Sequence, residues 1–214
     1  MQAGRCGRVA PVDEKTVLLE YLRIRRADLL AKLDGLGEYD VRRPMTSTGT
    51  NLLGLVKHVA YVQLGYFGEV FGRPSGRTYP WDDGGEPDAD MWATAQESRD
   101  DVVELYRFSA AHVDATVEAL PLDAVGEVPW WPEERRHPTL HTILVHVSVE
   151  VARHAGHADV LRELIDGSAG MSPEVSNLPD RGAAEWAAYR ARIEAAARQA
   201  AGLATPSGAG PGDG

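Results

Sequence analysis

Three histidines and a glutamate recur on one side of the stretch between Thr139 and Gly167, TLHTILVHVSVEVARHAGHADVLRELIDG. At 100° of rotation per helical residue, Glu150 falls about 40° round from His146, His154 about 80° and His157 about 20°. Ile143 and Leu161 share that stripe and Leu164 borders it, so the polar groups stand among residues that seek a core. Desolvating a carboxylate and imidazoles in such a setting is costly unless a partner compensates. A divalent cation is such a partner. Glu150 and His154 are four residues apart, one above the other on a helix, and can grip a single ion. His58, from an earlier segment, can complete a facial set of three. Two nitrogens and one oxygen suit zinc, and equally nickel, iron, cobalt or manganese. Three protein ligands leave a position open, the pattern of a catalytic rather than a structural site. The competing arrangement is an ion-free hydrogen-bond network in which Arg153 balances Glu150.

Such a triad needs two helices that face each other. One is the stretch just described, with Pro138 at its start, where a proline is tolerated. The other is NLLGLVKHVAYVQLGYFGEVFG, which Thr50 or Asn51 can cap and which Gly72 and Pro74 close. Leu52, Leu55, Val59, Val62, Tyr66 and Val70 mark its buried side, and His58 stands beside that stripe. Two further amphipathic helices complete a bundle. The first runs from Asp13 to about Leu36 and ends at Gly35 and Gly37; the other runs roughly from Ala95 to Leu120. Tyr39 to Thr48 reads as a connecting loop. Arg73 to Asp90 reads as a long Pro-, Gly- and Asp-rich crossover, a type of segment that often covers sites. Pro121 to Pro138 is another loop, with Trp130 and Trp131 just ahead of the central helix. These tryptophans can wall a pocket or plug the end of the bundle.

No strand pattern competes with the helical periodicity. The expected fold is all-α: a four-helix bundle with long crossover loops and an additional C-terminal peripheral helix, AAEWAAYRARIEAAARQAA. Residues 1–12 are expected to be a disordered leader, 13–201 the bundle domain and 202–214 a disordered, low-complexity tail.

The bulk numbers exclude several classes. The chain has 214 residues, 43% hydrophobic and 25% charged, which suits one globular domain. Lys and Arg number 22 against 32 Asp and Glu, a net charge of −10 that argues against nucleic acid as a partner. The single cysteine, Cys6, lies in a Gly- and Arg-rich leader and offers no disulfide and no obvious nucleophile. No apolar run suggests a membrane span or signal peptide, so the expected location is cytoplasmic.

NLLGLVKHVAYVQ together with LVHVSVEVARHAGHADVLRELIDG resembles the DinB-like superfamily of metal-dependent four-helix-bundle proteins. The likeness is nearest to the actinobacterial mycothiol-dependent, maleylpyruvate isomerase-like branch, and it covers residues 13 to 167 or so. Many members carry a histidine on the second helix and a His-x-x-x-His pair on the fourth. Here His58 and His154 match, while Glu150 takes the middle position, as in the similar His, Glu, His set of the mycothiol-dependent isomerases. The resemblance implies a divalent metal, usually Zn2+, held by His58, Glu150 and His154, and a thiol cosubstrate such as mycothiol. A thiol coordinated to such an ion loses its proton outright, so a thiolate forms without a protein cysteine. The thiolate then either transfers to a small-molecule electrophile, as in a transferase, or adds to and leaves a double bond, as in an isomerase. On this reading His146, His157 and Arg153 are the candidates for proton transfer and substrate contact, and Trp81, Trp130 and Trp131 line the mouth. The resemblance also makes a homodimer plausible. The alternative is a non-catalytic bundle, metal-binding or metal-free, acting as a sensor or interaction module.

Overall fold

A computed structural model of the chain describes residues 13–172 and 175–203, the side chain of residue 83 excepted. The leader expected over 1–12, and the tail from 204 onward, lie outside the described residues. The described residues contain six α-helices and no strand, with one isolated antiparallel bridge between Val125 and Thr139. They fall into two compact units, one through Ser176 and one from Asn177.

In the first unit α1 spans Glu14–Ala31, α2 Glu38–Arg42, α3 Leu52–Phe67, α4 Arg99–Ala119 and α5 Leu140–Asp166. Local chemistry sets the ends. The Asp13 side chain accepts from Thr16 N at the start of α1, and the Asn51 side chain accepts from Gly54 N at 2.7 Å at the start of α3. Thr139 caps α5, and Gly167, at φ 78°, closes it in the left-handed conformation that glycine adopts without strain. α3 stops at Gly68 and continues only as a 3₁₀ turn, Glu69–Phe71.

Two expectations are corrected. The segment from Tyr39 is not all loop, because Glu38–Arg42 closes one helical turn. A 2.8 Å Arg42–Glu38 ion pair and the fully buried Val41 hold that turn, which is too short to carry a periodicity. α4 begins at Arg99 and not near Ala95. There Ser98 and Asp101 form a capping box, each side chain bonding the other's backbone N–H.

The polar contacts give the helix directions. Glu14 pairs with His141, and Lys32 with Asp159 at 2.7 Å, so α1 and α5 run side by side in the same sense. Arg23 and Arg26 meet Asp114, while Lys15 reaches Leu120 O, so α4 runs opposite to α1. α3 packs on α4 and on α5. Lys57 pairs with Glu97 just ahead of α4, Gln63 donates to Ser109, and Arg73 beyond α3 donates to Thr116, in the same order along both segments, so α3 and α4 are parallel. Neighbouring parallel helices need a connection that retraces the helix, about 24 Å for the 16 residues of α3. This requirement accounts for the long crossover of residues 68–98.

Leu22 and Leu29 of α1, Val56 and Phe67 of α3, Val113 and Val117 of α4, and Leu144 and Val151 of α5 are all fully buried between the four helices. Each such side chain contributes about 1.5–3 kcal/mol. Arg26, 4% exposed, is held by Asp114 at 2.7 Å and by Ala110 O, which compensates its burial.

The second unit contains α6, Ala183–Ala200. Its first turn is tied by Gly182 N donating to the Glu185 carboxylate, and the Arg181 guanidinium lies over the rings of Trp186 and Tyr189.

Candidate metal centre

α3 and α5 run antiparallel, and the gap between them brings His58, Glu150 and His154 together. One possible ligand atom from each lies within 4.8 Å of the other two. His154 Nε2 is 2.9 Å from Glu150 Oε1, and His58 Nε2 is 3.7 Å from the same oxygen. The two imidazole rings meet edge-on with centroids 4.9 Å apart. The side chains are 21% (His58), 30% (Glu150) and 11% (His154) exposed, so the cluster is sunken but reachable from solvent.

The tautomers follow from donor and acceptor counting. His58 Nδ1 lies 2.6 Å from Asp90 Oδ2, and Asp90 is 6% exposed. A carboxylate only accepts, so His58 donates from Nδ1 and turns Nε2 toward Glu150. This is the carboxylate–histidine arrangement that orients metal ligands. His154 donates from Nε2 to Glu150, and its buried Nδ1 has no hydrogen-bond partner. Burial lowers the pKa of His154 most, against the pull of the Glu150 hydrogen bond, so it is ready to bind as a neutral imidazole. Burial opposes ionisation of Glu150, but the hydrogen bond from His154 and the electrostatic pull of the neighbouring imidazoles outweigh burial and hold its pKa below the ordinary 4.5. Two imidazoles and a carboxylate make a donor set that a divalent cation fits.

The crossover supplies Asp90 and is itself locked onto α3. Buried Lys57 donates to Ala89 O at 2.8 Å and Trp92 O at 3.0 Å and pairs with Glu97 at 2.7 Å. Asn51 Nδ2 donates to Met91 O. A Cβ added at Gly54 would lie 1.8 Å from Met91 O, so the close approach of the crossover requires glycine there.

A cleft of about 450 Å³ opens over the cluster and is lined by His58, Glu150, His146, Tyr66, Trp81 and Trp130 among others. A second cleft of about 430 Å³ shares Gly65, Trp81 and Trp130 with it and adds Glu69, Arg77 and Asp82. Burial raises the pKa of both Tyr61, edge-on to Trp81, and Tyr79, stacked on it, so both remain protonated phenols.

Among the residues singled out from sequence, His58, Glu150, His154, His146, Trp81 and Trp130 meet in or at this cleft. Trp131 stands behind it, half-buried, with its ring edge-on to His146 at 5.0 Å. His157 is exposed on α5 and touches the site only through the His154 ring at 5.4 Å. Arg153 is exposed and makes no ion pair among the described residues, so Glu150 is balanced by the histidines instead. Sequence reasoning missed Asp90, which no short-range spacing links to His58, and the Tyr66 hydroxyl, read there only as part of an apolar stripe.

A family model described as Mycothiol-S-transferase matches residues 17–167. No curated protein matches the chain. A crystal structure described as the conserved protein of locus from Enterococcus faecalis is similar, with a TM-score of 0.53 and 15% sequence identity. The match covers 73% of this chain and 99% of that one, and at this identity it bears on the fold alone.

Proposed function

The chain belongs to the mycothiol-S-transferase family, and on that premise we propose that it transfers a low-molecular-weight thiol, mycothiol, to a small electrophile at a divalent metal held by His58, Glu150 and His154. One observation carries the reading: two imidazoles and a carboxylate from two facing helices converge at the floor of an aromatic-walled cleft. Held by His58, Glu150 and His154, a divalent ion would lower the pKa of a coordinated thiol and so supply a sulfur nucleophile at neutral pH. Zinc suits two nitrogens and one oxygen with an open position.

The chain's own residues do the rest. Asp90 fixes which nitrogen of His58 faces the ion. Trp81, Trp130 and Tyr61 wall the cleft over the nucleophile. The adjoining cleft, with Glu69, Arg77 and Asp82, offers polar groups to the remainder of the thiol.

The test is metal content of the untagged protein, followed by loss of free mycothiol in the presence of an electrophile. The expected result is one stoichiometric ion, thiol consumption that stops on chelation, and loss of both in Glu150→Gln. An ion without turnover would favour the sensor reading, and no ion in freshly purified protein would favour a metal-free bundle.

A further inference from the structure

We propose that Tyr66 is a catalytic proton donor in this cleft, and that the preferred electrophiles are therefore those whose oxygen must gain a proton, strained cyclic ethers first. The proposal rests on the thiol-transfer reading above and adds its substrate class.

The Tyr66 hydroxyl has three polar neighbours: Trp130 Nε1 at 3.3 Å, Trp131 Nε1 at 3.1 Å and His146 Nε2 at 3.2 Å. An indole nitrogen only donates. The two tryptophans therefore fill both acceptor positions of the phenol oxygen, and the phenol's single proton is left for His146 Nε2. His146 must accept it, so the imidazole is neutral and carries its own proton on Nδ1. Burial keeps the His146 pKa below its ordinary value, in agreement with that neutral form.

The polarity of this group is thus fixed, with two N–H groups pointing into the oxygen and one proton pointing out. Two donors aimed at an oxygen stabilise it most when it is charged, which is the situation once the proton has left. The rings hold the geometry: the Tyr66 ring has centroid distances of 5.5 Å to Trp130, 5.9 Å to Trp131 and 5.0 Å to His146. Tyr66 and its acceptor His146 line the same cleft as His58 and Glu150, so the phenol oxygen borders the space where an electrophile meets the thiol, and an electrophile's oxygen seated there takes the place of His146 as acceptor of the proton.

The step balances without an oxidant or reductant. The thiol sulfur forms a C–S bond, the ring C–O bond breaks with its electron pair onto oxygen, and that oxygen takes the Tyr66 proton. The phenolate rests on the two indole N–H groups until a solvent proton restores it, replacing the proton the thiol released to solvent. The sum is thiol plus epoxide giving a hydroxy thioether. With a chloroarene, by contrast, chloride departs with its pair and needs no proton.

The experiment compares styrene oxide with 1-chloro-2,4-dinitrobenzene, using mycothiol and the metal-loaded protein, wild type against Tyr66→Phe. The expected result is a fall of at least ~10²-fold in the ratio of kcat/KM for the epoxide to that for the arene, the size of a general-acid contribution. An unchanged ratio overturns the proposal even if both rates drop. A second readout needs no turnover: ¹⁵N–¹H correlation spectra of the metal-free protein should show His146 protonated at Nδ1 and bare at Nε2. A proton found on Nε2 would mean that the phenol does not donate, and would overturn the assignment. Wild type inert with both electrophiles removes the thiol-transfer reading and the acid role together, whereas a lost ratio effect in an active enzyme removes the acid role alone.

Discussion

Asp90 Oδ2 lies 2.6 Å from His58 Nδ1, so a loop residue decides which face of a helix-borne histidine is offered to the cluster. The proposed ligands come from α3 and α5, but their orientation is completed by the crossover between α3 and α4.

Replacing Asp90 by Asn should therefore weaken metal binding without removing any ligand. Second-sphere carboxylates of this kind are worth about 10–100-fold in affinity. Competition with a chromophoric chelator reads the change directly, and equal affinity in the two proteins would show that His58 is oriented by something else.

Gly54→Ala opposes two effects. Alanine favours the helix by about 1 kcal/mol. The added Cβ, however, meets Met91 O at 1.8 Å, and overpacking of this kind costs on the order of 1–3 kcal/mol. The clash should win, giving a lower urea midpoint and, because Met91 adjoins Asp90, weaker metal binding. A variant as stable as wild type, with unaltered affinity, would mean that the crossover yields freely.

Lys57 is 3% exposed and binds two crossover carbonyls and Glu97. Lys57→Met fills the space but leaves those acceptors unsatisfied, at about 1–3 kcal/mol for each buried group. The expected signature is local. Amide exchange and proteolysis should rise across residues 86–98 more than in α1 or α5. Uniform loosening of the whole bundle would contradict a role confined to the crossover.

His146 gives a pH dependence of defined sign. Burial lowers its folded-state pKa below the ordinary 6.5, with Glu150 pulling the other way. Between the folded and unfolded pKa values the unfolded chain binds more protons, so stability rises with pH through that window. As pH falls below about 6.5, His146 should therefore subtract stability from the metal-free protein. Thermal melts of metal-free wild type and His146→Gln from neutral pH to pH 5 measure it; the variant should show the shallower slope, and parallel curves would refute the assignment.

The parts legible from sequence were those written in periodicity. α3 and α5 each carry one apolar stripe, and the histidines and Glu150 stand on or beside it, so the facing triad followed once two helices were drawn. Asp90 did not follow, since it is 32 residues from His58 and only the parallel run of α3 and α4 brings it back. The start of α4 was readable in principle, in the Ser98 and Asp101 spacing, but apolar residues just upstream extended the pattern. Five residues of α2 hold too little sequence for any period to show. Tyr66 fits an apolar stripe by its ring, and its oxygen matters only after Trp130 and Trp131 fold back over it.

The side-by-side run of α1 and α5 has a consequence for biosynthesis. Glu14 and Lys32 find His141 and Asp159 only across most of the chain, so the ribosome has made nearly the whole first unit before α1 gains that neighbour. Contacts so distant in sequence form late and slowly. Leu22 and Leu29, which finish fully buried, spend synthesis without the α5 wall, and it is in this interval, before the His58, Glu150 and His154 cluster can assemble, that the nascent chain most needs protection from association.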